Sequence, residues 1–179
     1  MLVTRAGDTP AAKVVEVVLG QPWSAVLSPF ELGRPVLLGG YHGVWVPGGA
    51  LIGRRIAAED LASLGARLGA GVVLPLPQGS CPVHETAQIV SYLAGQSAQR
   101  CGPCRFGLPA LALAVDDADH GNGPVERIRD LAGMLSGRGA CAHPDGTVRL
   151  VASMQRWFHD ELRLHQRQEC GHGELAPTG

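Results

Sequence analysis

Apolar and polar positions follow two rhythms along this chain. Up to about residue 77 the apolar positions come in short runs broken by Gly and Pro. Residues 13–19 (Lys-Val-Val-Glu-Val-Val-Leu) are rich in β-branched side chains and predict a strand, and residues 34–38, 44–46 and 71–76 predict three more. Residues 22–27 predict a short helix with Pro22 at its first position, and residues 58–64 a second. Gly39-Gly40-Tyr41-His42-Gly43 reads as a turn, and Pro47-Gly48-Gly49 ends the strand before it. Short strands around little helix predict a small α+β domain over residues 1–77.

Beyond Pro77-Gln78-Gly79-Ser80 the period becomes helical. Val83, Ala87, Val90 and Ala94 share one face of a helix that Ser80 can cap and Gly95 can end. Residues 103–115 form a second helix, with Leu108, Leu111, Ala112 and Val115 on one face and Pro109 as an interruption. Residues 116–123 read as a polar loop. Pro124 opens a third helix through Val125, Ile128, Leu131 and Leu135, which Gly137 and Gly139 stop. Asp145 or Thr147 caps a fourth, carrying Val151, Met154, Phe158, Leu162 and His165. Four helices on short connections predict a four-helix bundle over residues 78–168. Residues 169–179 are polar and Gly-rich, a mobile tail.

Charge and composition narrow the function classes. The net charge is −1, and of fifteen basic side chains only Lys13 is a lysine; the arginines are scattered rather than clustered. No field draws this chain to nucleic acid or anionic lipid, and with 4% aromatics it lacks stacking platforms for bases. No apolar run approaches the roughly 20 residues of a spanning helix, and Met1-Leu2-Val3-Thr4-Arg5 lacks the apolar core of a signal peptide. The expectation is a cytoplasmic protein without membrane insertion. Five cysteines is an odd number, and a reducing compartment disfavours a disulfide framework.

The cysteines carry the candidate chemistry. Cys101 and Cys104, in Ser97-Ala98-Gln99-Arg100-Cys101-Gly102-Pro103-Cys104-Arg105, sit where one helix has ended and the next begins, so both sulfurs can face one centre and the new helix favours thiolate. Cys141 follows the flexible turn Gly137-Arg138-Gly139-Ala140 and can reach the same end. Spacing leaves several readings open. One is an iron–sulfur cluster whose fourth ligand comes from Cys81, Cys170, a His or an exogenous group. Another is a zinc site using Cys101, Cys104, Cys141 and a His such as His143. The remaining two are a thiol redox pair without its βαβ context, and small buried hydrophobes.

These residues resemble the C-terminal part of the NADH-binding flavoprotein subunit of respiratory complex I and its hydrogenase relatives. The family motif Ser-Cys-Gly-x-Cys-x-Pro-Cys-Arg-x-Gly has the frame of residues 97–107 here. Gly69-Ala70-Gly71-Val72-Val73 resembles the strand before the first helix of that family, and Cys81 falls where many members carry a cysteine. Cys141 and Arg156-Trp157-Phe158-His159-Asp160-Glu161 resemble the last cluster cysteine and the helix after it. The match covers about residues 65–166. Residues 1–77 resemble the SLBB domain, a β-grasp module that precedes the cluster domain.

The resemblance implies a [4Fe–4S] cluster that takes electrons from FMN. Carried over by position, Cys101, Cys104 and Cys141 are ligands two, three and four, while the first ligand position holds Ala98, which cannot ligate. Cys170, in a tail able to fold back, is the expected substitute. Cys81 comes second, because it lies at the far end of the first helix, roughly 25 Å from Ala98 at 1.5 Å per residue. The FMN- and NADH-binding domain is missing from the match, and neither Gly39-Gly40 nor Gly48-Gly49 forms a strand-to-helix phosphate turn. The chain is thus expected to have no FMN or NAD site, not to oxidise NADH by itself, and to work beside a flavoprotein or ferredoxin-like redox partner.

Other residues weigh less. Glu85 at a helix start reads as a dipole or capping partner. His159, Asp160 and Glu161 are adjacent, so they cannot share a helix face as an acid–base dyad. Two functions from different classes follow: an iron–sulfur electron-transfer module, and a cluster-free scaffold whose β domain docks a partner.

Overall fold

The structure is a computed structural model and describes residues 1–6 and 12–172. The chain divides into two compact units, the first ending at Gln78 and the second starting at Gly79. Across the described residues the fold is mixed α+β, with one five-stranded sheet and seven α-helices.

The first unit holds the sheet. Its strands are β1 (Leu2–Arg5), β2 (Lys13–Glu16), β3 (Pro35–Leu38), β4 (Val44–Pro47) and β5 (Val72–Pro75), in spatial order β2-β1-β5-β3-β4. β1 pairs in parallel with β5, and the other pairings are antiparallel. One sheet face buries Val36, Leu38, Val46 and Val73 with Trp23, Leu27, Leu51, Ile56 and Leu61, and Leu37 and Trp45 on the other face are buried too. The β3–β4 turn needs Gly43, because a Cβ there would overlap the Leu38 carbonyl oxygen.

Two elements of this unit escape the periodicity. β1 joins the sheet between β2 and β5. Helix α1 (Pro29–Leu32) is too short to show an apolar repeat, and its start is fixed by a capping box. Ser28 Oγ accepts from the Glu31 N–H at 3.3 Å, and the Glu31 carboxylate accepts from the Ser28 N–H at 2.8 Å. Conversely, the predicted strand 13–19 is cut short at Glu16, because β1 begins at its partner Leu2. Val18 and Leu19 are left exposed. Helix α2 (Ala58–Ala62) lies within the predicted 58–64.

The second unit is helical: α3 (Pro82–Gly95), α4 (Leu108–Asp119), α5 (Glu126–Leu135), α6 (His143–Trp157) and α7 (His159–Gln166). Its buried side chains include Val83, Val90, Leu108, Leu111, Val115, Ile128, Leu150, Val151, Met154 and Leu162. Cys81, rather than Ser80, occupies the position before the first turn of α3. Pro109 falls in the first turn of α4, where a proline is tolerated.

Two boundaries differ from the predicted ones, for physical reasons. The acidic stretch 116–119 is helical rather than loop. Carboxylates oppose the dipole at a helix C-terminus, but Asp119 is buried against imidazoles, its Oδ2 2.6 Å from His84 Nδ1. The predicted fourth helix is two helices, because the chain leaves helical geometry at Phe158 (φ −122°, ψ 30°). The apolar spacing of residues 158, 162 and 165 continues across that break and hides the turn. Of the predicted tail, residues 173–179 lie outside the described residues. Among the described residues no helix is long and apolar enough to cross a membrane.

Candidate metal centre

Cys101 and Cys104 occupy the connection between α3 and α4. After Gly95 the backbone passes through Gln99 at φ 51°, a left-handed conformation rare outside glycine. Residues Pro103–Gly107 then form a π turn, closed by the Leu108 N–H donating to the Pro103 carbonyl, and it runs straight into α4. Single π turns of this kind gather at functional sites. The Arg105 N–H donates to the Cys101 carbonyl at 2.9 Å, which ties the two cysteines into one loop. Gly107 packs closely on α5, because a Cβ there would displace the Leu135 side chain.

The sulfurs sit in different surroundings. Cys104 is buried, and Cys101 is half-buried. The N–H of Ala140, from the connection before α6, and the N–H of Cys104 stabilise the Cys101 thiolate and hold this thiol below its ordinary range, with the Cys104 S–H adding to the effect. Burial pushes the Cys104 thiol up, reinforced by Cys101 and by Cys141 nearby. Cys141 itself is exposed. Thus the α3–α4 connection and the α5–α6 connection bring the three predicted cysteines within electrostatic reach of one another.

The donor set fits three corners of a thiolate-bound iron–sulfur group. The thiols are soft donors, and the amide N–H groups at Cys101 favour the charged form such a group needs. The fourth corner has no donor at Ala98, which is an exposed methyl. His143, the alternative zinc ligand, has Nε2 2.9 Å from the Leu93 carbonyl oxygen, a hydrogen bond in which that nitrogen carries the proton.

Cys170 is not grouped with these three. It follows α7 and lies with Cys81, Glu161 and His165, and the donor atoms of all four are within 4.8 Å of one another. Cys81 begins α3, whereas Cys101 and Cys104 follow its end, so the two groups lie toward opposite ends of a 14-residue helix. The predicted ligands therefore separate into a group of three and a group holding Cys170. Sequence pattern does not single out Glu161 and His165 as donors. Their i, i+4 spacing on one helix face is the available signal; in the sequence alone His165 reads as an apolar-face position and Glu161 as one of three adjacent polar residues.

Residues 84–165 match the family described as the NADH-ubiquinone oxidoreductase-F iron-sulfur binding region. The F subunit of the NADH-quinone oxidoreductase of Escherichia coli (strain K12) is 26% identical over 143 residues, covering 73% of this chain and 32% of the relative. Its counterpart from Streptomyces coelicolor is 24% identical over 132 residues, covering 68% and 29%. The chain thus spans about a third of the length of these curated relatives. Among solved structures, an NAD+-reducing [NiFe]-hydrogenase in the H2-reduced state superposes with a TM-score of 0.78 at 20% identity, covering 92% of this chain and 28% of that one, which is a likeness of fold. Residues 84–165 are thus similar to the iron–sulfur binding region of the NADH-ubiquinone oxidoreductase-F family, and the chain resembles the C-terminal part of its NADH-binding flavoprotein subunit.

Proposed function

We propose that this chain is an iron–sulfur electron-relay module of an NADH-dehydrogenase-like flavoprotein. Cys101, Cys104 and Cys141 hold three irons of a [4Fe–4S] cluster, and an exogenous ligand takes the corner that Ala98 leaves open. What supports the reading is that three thiols from two separate connections influence one another electrostatically near the start of α4, inside the region whose family description is iron–sulfur binding. A cluster held there supplies one-electron transfer. The protein's part is to hold it: the Ala140 and Cys104 N–H groups stabilise negative charge at Cys101, burial of Cys104 keeps water from that sulfur, and the π turn fixes the loop. Flavin and nicotinamide chemistry belongs, on this reading, to a redox partner or to chain beyond these 179 residues. The five-stranded unit is assigned the β-grasp (SLBB) role of a docking domain, and the helical unit the role of the cluster-bearing bundle.

The test is electron paramagnetic resonance on protein purified without oxygen and reduced with dithionite. A signal from a reduced cluster that Cys104→Ser abolishes supports the reading. A second reading, a cluster-free scaffold, is favoured by exposed Ala98, and a folded protein that gives no such signal after iron and sulfide are supplied selects it.

A further inference from the structure

We infer that Cys81, Glu161, His165 and Cys170 form a second metal site, separate from the three-cysteine group and built for a zinc ion. Three of its donor separations suit a tetrahedral site. Bond lengths of about 2.3 Å to sulfur and about 2.0–2.2 Å to nitrogen and oxygen place tetrahedral donors roughly 3.4–3.8 Å apart. Here Cys81 Sγ lies 3.3 Å from His165 Nε2 and 3.8 Å from Glu161 Oε1, and His165 Nε2 lies 3.4 Å from Glu161 Oε1. With Cys170 Sγ, all four donor atoms lie within 4.8 Å of one another.

His165 is oriented as a ligand. Its Nδ1 lies 2.7 Å from the Asp119 carbonyl oxygen, so Nδ1 carries the proton and Nε2 presents a lone pair to the two sulfurs and the carboxylate. The ring is 1% exposed, which fixes this tautomer against exchange with solvent partners. That outer hydrogen bond gives the last turn of α4 a role: it supplies the carbonyl.

The site draws on three parts of the helical unit. Cys81 comes from the residue before α3, Glu161 and His165 from one face of α7, and Cys170 from the chain after it. Glu161 Oε1 also accepts from the Gly171 N–H at 2.9 Å, which holds the Cys170 segment against α7. His172 Nε2 stands 3.8 Å from the other carboxylate oxygen. Two thiols and an imidazole select a soft or borderline cation such as zinc over magnesium or calcium. Binding ties the chain after α7 to the start of α3 and releases the thiol protons. This inference does not depend on the iron–sulfur reading, because no donor is shared.

The full chain is tested with zinc alone, after reduction and chelation, by metal analysis and by replacing zinc with cobalt. Cys101→Ser, Cys104→Ser and Cys141→Ser together silence the other thiols. The expected result is one zinc per chain in that background, with the visible spectrum of tetrahedral, thiolate-bound cobalt, and loss of both when Cys170→Ala or His165→Gln is added. Should the triple variant fail to fold, Cys170→Ala in the otherwise natural chain is expected to remove one zinc and leave iron content unchanged. A folded, reduced chain that takes up no zinc overturns the inference. So does zinc retained undiminished in Cys170→Ala.

Discussion

The buried Cys104 thiol lies against Cys101, and the two sulfurs are pushed in opposite directions. The Ala140 N–H lowers the ionisation range of Cys101, while burial raises that of Cys104. In the metal-free chain Cys101 therefore loses its proton below the ordinary thiol value of 9.0, and Cys104 above it. Alkylation with iodoacetamide near neutral pH, read by mass spectrometry, is expected to label Cys101 well before Cys104. Equal labelling would contradict the opposite shifts of the two thiols.

Gly107 stands directly over Leu135, with no room for a methyl group between them. Gly107→Ala forces the buried Leu135 side chain aside, an overpacking cost of about 1–3 kcal/mol. Thermal unfolding is expected to show that loss, and Leu135→Ala added to Gly107→Ala is expected to cost less than the sum of the single changes. Strict additivity would mean that the two residues do not meet.

The first unit has a pH-dependent contact in Glu31. Burial alone would raise this carboxyl, but hydrogen bonds from the Ser28 hydroxyl and N–H, and then Arg5, outweigh it and hold the carboxyl below its usual range. Its contribution is complete above the ordinary value of 4.5 and is lost as pH falls through the lower folded value. Glu31→Gln is expected to cost about 1 kcal/mol near neutral pH, typical of a lost cap, and to flatten the loss of stability in acid. An unchanged acid slope, followed by circular dichroism, would count against the contact.

Arg105 lies beside the cysteine loop, exposed, its guanidinium 5.5 Å from the Phe106 ring. A cation near a cluster favours the reduced, more negative state. Arg105→Glu is therefore expected to lower the reduction potential of the assembled cluster, measured by redox titration. An unchanged potential would deny Arg105 an electrostatic role, without touching the zinc site at the other end of α3.

Periodicity makes most of the helical unit legible, because Val83, Val90, Leu108, Leu111, Ile128 and Val151 repeat at helical intervals and are buried. It cannot show the break at Phe158, where the apolar spacing carries on through the turn. Nor can it show α1, which exists through the Ser28–Glu31 caps, or the last turn of α4, which depends on contacts from His84 and His165. At the candidate centre, the Cys-x-x-Cys spacing and the Gly turn before Cys141 point to the three-cysteine group. Cys170 is expected there on sequence grounds only because a flexible tail carries no directional signal. Its actual neighbours come from α7 and the entry to α3, a long-range meeting that local pattern does not encode.

The most direct test of the central reading is iron and acid-labile sulfide per chain, on protein purified without oxygen. About four of each are expected, with both lost in Cys104→Ser and both kept in Cys170→Ala. A folded protein without iron or sulfide, even after both are supplied, would contradict that reading and leave Ala98 as the mark of a cluster site that no longer assembles.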